Sequence, residues 1–464
     1  MKGKILEGLE VFDMADEGKA VSRHDGLVVF IDKAVPGDIV DVIIKKKHKS
    51  YLEAEVVKLV SPSASRINPF CKHFGICGGC KWQHLDYSSQ LQFKFKQVSD
   101  ALQRLGKIEN PPMLPIIGSE DIRYYRNKLD FSFSDRKWLT KEQFEEKEIL
   151  DGPALGFHIP GRFDKVLDID ECFLQPEPSN SIRNAIKKYA LENDLSFINL
   201  RNKSGILRSL IIRTTLKGDM MVIVMVYEHD EQKSKGLLDF LVSNFPQITS
   251  LLYVVNPKAN DTLQDLELKL HHGLPYIVEQ MEGLQFRIGP KSFFQTNSKQ
   301  SLKLYEIARD YAGLTGNELV YDLYTGTGTI ANFVARNAKA VVGVEYVADA
   351  IEDAKLNSTI NKIHNTKFFA GDMKDLLTEN FFEVNGKPDV IITDPPRAGM
   401  HADVVEQINK SGAKKIVYVS CNPATQARDI ALMSEKYKVI KVQPVDMFPH
   451  TAHVENVALL ELIG

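Results

Sequence analysis

Lys415-Ile416-Val417-Tyr418-Val419-Ser420-Cys421-Asn422-Pro423 is a run of β-branched and aromatic side chains closed by Asn-Pro. That pattern reads as a buried strand stopping at a turn. Cys421 stands where the strand stops. In open α/β sheets, ligands bind outside the carboxyl ends of the strands. A lone cysteine at such an edge is most simply a small buried hydrophobe. Three further motifs weigh against that reading: Gly326-Thr327-Gly328, Asp394-Pro395-Pro396-Arg397 and His450-Thr451-Ala452-His453-Val454-Glu455.

From about residue 316 the chain alternates strand and helix. Leu319–Leu323 reads as a strand, Tyr324–Thr329 as a Gly-rich turn into a helix, and Ala340–Val344 as a strand ending in Glu345. An acidic side chain about twenty residues past such glycines is placed to accept from ribose hydroxyls. Gly326-x-Gly328-x-x-Ala331 equally satisfies a nicotinamide-dinucleotide fingerprint, so the loop alone also fits a dehydrogenase. A third strand ends at Gly371-Asp372, facing an adenine. The fourth, Val390–Thr393, is capped by Asp394-Pro395-Pro396-Arg397.

A strand followed by Asp-Pro-Pro is common in methyltransferases acting on nucleobases. Those that methylate exocyclic amines carry an aromatic after the prolines and need no cysteine; here Arg397 follows, and a later strand ends in Cys421. Carbon 5 of a pyrimidine is too weak a nucleophile to attack a methyl sulfonium. A thiolate adding to carbon 6 makes the ring an enolate, nucleophilic at carbon 5. A base must then remove the carbon-5 proton before the thiolate can leave. Cys421 and Glu455 are the right residue types for that pair. His450 and His453 lie close enough in sequence to be the base instead, and residue type does not decide among them. A DNA cytosine enzyme would present a Pro-Cys nucleophile, which is absent here.

The chain has 464 residues, a net charge of −3 and five cysteines. Its length implies two or three domains. The charge does not advertise nucleic-acid binding, so an RNA surface must be a local patch, and Lys45–Lys49 reads as a solvated turn. No signal-peptide core or membrane-length apolar run occurs, and the expectation is a cytoplasmic monomer with no membrane partner. Residues 1 to about 60 read as short strands separated by Pro36-Gly37 and the lysine run, a small OB-type barrel. Gly18-Lys19-Ala20, Ala34–Asp38 and Tyr51–Ala54 resemble a TRAM domain, an RNA-binding barrel. Ser61–Ser65 reads as a linker. Cys71, Cys77 and Cys80 then fall within ten residues. With Cys172 as fourth ligand they fit zinc or an iron–sulfur cluster; one triplet plus a distant cysteine, rather than two knuckles, favours the cluster. Residues 85–106 read as a helix from Asp86 to Gly106, with Leu91, Phe95, Val98, Leu102 and Leu105 on its apolar face. Arg123, Tyr124, Tyr125, Arg126 and Lys128 suit single-stranded RNA or an ordinary hairpin edge. Lys291–Asn297 leads into a helix through about Tyr311.

Taken together, the barrel, the CysxxxxxCysGlyGlyCys motif at 71–80, PhePheGlnThrAsn at 293–297, the Gly loop, AspProProArg, SerCysAsnPro and PheProHisThrAlaHisValGlu at 448–455 resemble the RNA uracil-5-methyltransferase family. The branch acting on bacterial large-subunit (23S) ribosomal RNA is the most similar. The resemblance covers nearly the whole chain. It implies a class I Rossmann-like α/β methyltransferase domain at 291–464, a central α+β domain with an iron–sulfur cluster at 63–290, and the TRAM-like barrel at 1–62. It makes Cys421 the nucleophile and Glu455 the base, and gives Gln295, Tyr324, Glu345, Asp372 and Asp394 to S-adenosylmethionine. Cys71, Cys77, Cys80 and Cys172 become the ligands of a [4Fe–4S] cluster. The expected product is 5-methyluridine, with the target uridine flipped out of folded RNA. Bacterial transfer-RNA enzymes of this fold lack both barrel and cluster, whereas some archaeal relatives with a cluster act on transfer RNA, so tRNA stands as the alternative substrate. A non-catalytic RNA-binding module would explain the barrel and leave residues 291–464 purposeless.

Overall fold

Alternating buried and exposed positions along the first sixty residues make a half-buried sheet. The computed structural model, which describes residues 2–140, 143 and 152–464, has six strands there: Ile5–Glu10, Asp13–Met14, Ala20–His24, Leu27–Asp32, Ile39–Lys47 and Tyr51–Ser61. They enclose a core that includes Val29, Ile31, Val42 and Leu52. Two local expectations change. Lys45, Lys46 and Lys47 extend a strand instead of forming a turn, because Lys46 and Lys47 pair with Glu53 and Leu52. The expected linker is tied down: Ser61 ends a strand, the Ser63 amide donates to Asp38 Oδ1 at 2.9 Å, and Arg66 pairs with the buried Asp38.

The first long helix is Tyr87–Arg104, capped by Asp86, whose side chain accepts from the Ser89 amide at 3.0 Å. Its buried face is rotated from the expected one. Gln90, Lys94, Val98 and Leu102 are buried, whereas Leu105 is 49% exposed. Two polar side chains turn inward because distant chain supplies their partners, as described below.

A central seven-stranded sheet follows, ordered Lys269–Gly273, Ser250–Val255, Met220–Val226, Leu207–Thr214, Lys128–Ser134, Ala154–Ile159 and Arg162–Asp168. Met220–Val226 is buried along its whole length. Lys128–Ser134 lies inside the sheet, paired on both sides, so the basic–aromatic stretch before it is not a hairpin edge. The hairpin Ile277–Met281 and Leu284–Ile288 shares a core with Leu304 and Val320. It is fastened to the helix Ala348–Ile360 and the residue after it by Arg287 N to Asn357 Oδ1 (2.9 Å) and Gln285 N to Asn361 Oδ1 (2.8 Å).

The last sheet runs Thr366–Ala370, Ala340–Glu345, Leu319–Leu323, Val390–Thr393, Lys415–Ser420, Glu455–Leu462 and Tyr437–Val445. The first five strands are parallel neighbours; Glu455–Leu462 runs antiparallel to both its neighbours, so Tyr437–Val445 points the same way as the first five. Parallel strands need helical crossovers, here Thr329–Ala335, Ala348–Ile360 and Ala402–Ser411 among others. The strand order reverses at Leu319–Leu323, which puts a crevice at the carboxyl ends of the strands. Among the described residues, no helix is long and apolar enough to cross a membrane.

Candidate active site

The strand Lys415–Ser420 ends one residue before Cys421, and Asn422 caps the helix Pro423–Met433 by accepting from the Ala424 amide at 3.1 Å. The same asparagine donates to the Arg397 carbonyl at 3.0 Å, and Thr425 Oγ1 donates to it at 3.2 Å. The Asp394–Arg397 turn is thereby fixed against the cysteine turn. Antiparallel register does the rest. Lys415 faces Glu461 and Ser420 faces Asn456, the last pair of the ladder. Cys421 follows and Glu455 precedes that pair, so two residues 34 apart in sequence meet at one end of it, close enough for the Glu455 charge to act on the Cys421 thiol.

The chemistry of this group is set by burial. Glu455 is 4% exposed, and burial, then the charge of Asp394, pushes its carboxyl up to about 8, with Arg397 opposing. Asp394 is raised to about 7 by burial and by Asp322. The Cys421 thiol is pushed up to about 11 by burial, then by Glu455 and Asp394, with Arg397 again opposing. Of the two histidines weighed as bases, His450 is buried, hydrogen-bonded through its ring to Gln90, and lowered to about 4 by burial. His453 has its Nε2 3.5 Å from Arg397 and is lowered to about 4 by burial, then by Arg397. Of the three, Glu455 alone is shifted toward holding a proton near neutral pH.

At the first strand end, Gly326 and Gly328 have φ of +54° and +73°. A Cβ on Gly328 would lie 2.8 Å from Ala354 Cβ, so glycine is required for the loop to meet the following helices. Glu345 ends its strand, as expected. Its carboxylate accepts from Gly326 N (3.1 Å) and Val347 N (3.0 Å), one oxygen each, leaving lone pairs open on both. Tyr324, at φ +63°, sits half-buried between the two strand ends, and its hydroxyl is raised to about 12, chiefly by burial. Gln295 is half-buried in the loop before the helix Ser298–Ala312, with its carbonyl accepting from Asn127 Nδ2 at 2.9 Å. Asp372 caps the short helix Met373–Leu376, which leaves its second oxygen only a loose 3.5 Å contact with Lys374. One residue escaped the sequence reading. Asp322 is fully buried, raised to about 7 by burial, and takes the Thr325 hydroxyl on Oδ2, while Oδ1 has no partner. The available signal was an acidic residue two positions before the Gly-rich turn.

The cysteines 71, 77, 80 and 172 converge on one cavity of about 430 Å³, whose opposite wall carries Arg126, Lys128, Arg397 and Phe448. All are free thiols, with Cys80 and Cys172 raised to about 12 and about 11 by burial. Among the described residues, no three Cys, His, Asp or Glu side chains are grouped tightly enough to hold a single metal ion.

The chain matches the family described as tRNA (Uracil-5-)-methyltransferase over residues 213–463 and the TRAM domain over residues 6–57. It is 58% identical to an RNA methyltransferase of Bacteroides thetaiotaomicron, over 97% of this chain and 100% of that protein. With one of Porphyromonas gingivalis it shares 55% identity over 97% and 99% of the two chains. Among solved structures it is similar to the Pyrococcus abyssi tRNA (uracil-54, C5)-methyltransferase in complex with S-adenosyl-L-homocysteine. That likeness has a TM-score of 0.75 and 28% identity over 98% of this chain and 100% of that one.

Proposed function

This chain belongs to the RNA uracil-5-methyltransferase family and is an S-adenosylmethionine-dependent RNA methyltransferase with a TRAM domain, and from that premise we propose that it forms 5-methyluridine in large-subunit ribosomal RNA through a covalent enzyme–RNA adduct. The observation that carries the mechanism is the meeting of Cys421 and Glu455 at the end of the strand pair closed by Ser420 and Asn456. Cys421, its thiol proton given up to solvent, adds as the thiolate to carbon 6 of the uracil; carbon 5 of the resulting enolate takes the methyl group from the sulfonium, S-adenosylhomocysteine leaves, and the ring stays saturated at carbons 5 and 6 and bonded to sulfur. Glu455 then accepts the carbon-5 proton, the carbon–sulfur bond breaks, and the double bond re-forms. Burial, then the charge of Asp394, holds Glu455 weakly acidic, so that it is a competent acceptor near neutral pH.

The cofactor residues present fit S-adenosylmethionine. Open lone pairs on Glu345 suit two ribose hydroxyls, and the unpartnered, buried Oδ1 of Asp322 suits a cationic amine. Gln295, Tyr324, Asp372 and Asp394 complete the proposed pocket. When bound, the cofactor supplies an electrophilic methyl group.

Cys71, Cys77, Cys80 and Cys172 are proposed to hold a [4Fe–4S] cluster. A four-iron cube is wider than one ion, so its thiolates stand farther apart than zinc ligands. Arg183 adds support: it is 1% exposed, and its hydrogen bonds go to the carbonyls of Ile169 and Asp170 and to side-chain amide oxygens, with no carboxylate. Cys172 is the largest negative influence on this buried cation, ahead of Glu177, Asp170 and Asp168, and a cation placed there suits the negative charge of a thiolate-bound cluster. We assign residues 1–62 and 63–290 to RNA binding and 291–464 to the chemistry, in a cytoplasmic monomer. Transfer RNA is the second reading, favoured by the full-length likeness to the Pyrococcus tRNA enzyme. Mapping 5-methyluridine in ribosomal and transfer RNA from cells with and without this gene tests both. Loss of a ribosomal 5-methyluridine is expected; loss confined to tRNA moves the substrate, and no loss in either refutes the activity.

A further inference from the structure

The base sits at the end of a nine-residue loop, 446–454, closed by the strand pair Val445 and Glu455. Each of its first five carbonyls accepts a hydrogen bond from outside the loop. Gln300 Nε2 donates to Asp446 O (2.8 Å) and Asn297 Nδ2 to Met447 O (2.9 Å). Lys94 Nζ donates to Phe448 O (3.0 Å) and Tyr125 Oη to Pro449 O (2.9 Å). The amides of Lys81 and Trp82 both donate to His450 O, at 2.8 and 3.0 Å. Gln90 closes the set: its Oε1 accepts from the His450 amide at 2.9 Å and its Nε2 meets His450 Nδ1 at 3.2 Å. His450 is held at φ +65°, a strained conformation for a side chain of that size.

The ion pair at the root of the loop is unusual in its setting. Lys94 and Asp446 are 2.6 Å apart with both side chains 0% exposed. Asp446 accepts additionally from Tyr87 (2.8 Å) and from the Phe448 amide (3.0 Å). A buried pair of this kind stabilises a fold no better than well-packed apolar residues would, and its best-attested use is to specify one conformation among several. The conformation it specifies here is that of the loop leading into Glu455.

We propose that Lys94 and Tyr125, with Gln90, are positioning residues for Glu455: they lock the 446–450 backbone so that the carboxyl faces Cys421 during removal of the carbon-5 proton. This rests on the covalent-adduct reading above. The clasp is expected to act on elimination: among the described residues, the hydrogen bonds of Gln90, Lys94 and Tyr125 reach Asp446, Phe448, Pro449 and His450 and none reaches the turns at Cys421 or Asp394. Misplacement of a catalytic group by about 1 Å is enough for a roughly 100-fold loss.

The test compares two rates in the full-length protein and its Lys94→Gln and Tyr125→Phe variants. RNA from gene-deleted cells grown with 5-fluorouracil traps the enzyme after methyl transfer, since carbon 5 then bears fluorine and no proton; its trapping rate reports addition and transfer. RNA from the same cells grown without the analogue reports complete turnover. Positioning predicts turnover falling about 10- to 100-fold, accumulation of a methyl-labelled adduct on denaturing gels, and a trapping rate within about twofold of the unmodified protein. Tyr125→Phe, which removes one hydroxyl, keeps the test alive should Lys94→Gln not fold. Equal losses in both rates, or none in either, overturn the proposal. An unmodified protein that is never trapped overturns instead the covalent mechanism on which it rests.

Discussion

Decay of the methylated adduct isolates the step assigned to Glu455, and its pH dependence follows from burial. Glu455 is raised from 4.5 to about 8, a penalty on the order of 5 kcal/mol against the ionised form. Only the ionised form accepts a proton. At pH 7, about one molecule in ten is then competent, and the decay constant should rise tenfold per pH unit up to about pH 8 and level off above it. The assay is single turnover with methyl-labelled cofactor, quenched in denaturant and resolved on gels from pH 6 to 9. Glu455→Gln should hold the adduct with a decay rate independent of pH and about 10²–10⁴ below the plateau. Asp394 contributes to the elevation, so Asp394→Asn should move the midpoint down; the midpoint belongs to the carboxyl pair jointly. A flat wild-type profile, or a Glu455→Gln adduct that decays at the normal rate, would refute the assignment of the base. Accumulation of adduct in His453→Ala under those conditions would move the role to the histidine.

Ionising Glu455 also costs folding free energy. Because its folded pKa lies above the unfolded one, its stability contribution is present below about pH 4.5 and is lost as pH rises through about 8. The Tm of Glu455→Gln should therefore gain on the wild type between pH 5 and 9 in calorimetry, and a constant difference would contradict the buried carboxylate. Glu345→Ala should weaken S-adenosylmethionine binding by about 1.5–3 kcal/mol, the range for hydrogen bonds to charged groups; unchanged affinity by titration calorimetry would remove it from the pocket. Anaerobically purified protein should be brown, with iron and acid-labile sulfide in equal amounts, and Cys172→Ala should lose both; stoichiometric zinc without sulfide would rule the cluster out.

What the sequence alone determined is local. Strand ends at Glu345, Thr393 and Ser420, the helix starts after Asp86 and Asn297, and the glycine turn before Thr329 all appear where propensity and turn chemistry put them. Each depends on neighbours a few residues away, and that is why it was legible. Helix existence was legible too, but not which face of Tyr87–Arg104 is buried. Lys94 and Gln90 lie outside the expected apolar face; the burial of Lys94 is made tolerable by Asp446, 352 positions on, and that of Gln90 by His450 together with the nearby carbonyls of Trp82 and Leu85. The meeting of Cys421 with Glu455 required the antiparallel register of the strand Glu455–Leu462. The ionisation of Asp322, Asp394 and Glu455 required knowing that these carboxyls are desolvated and near one another. Residue types supplied the candidates for the chemistry; desolvation and long-range register, which exist only once the chain is folded, selected among them.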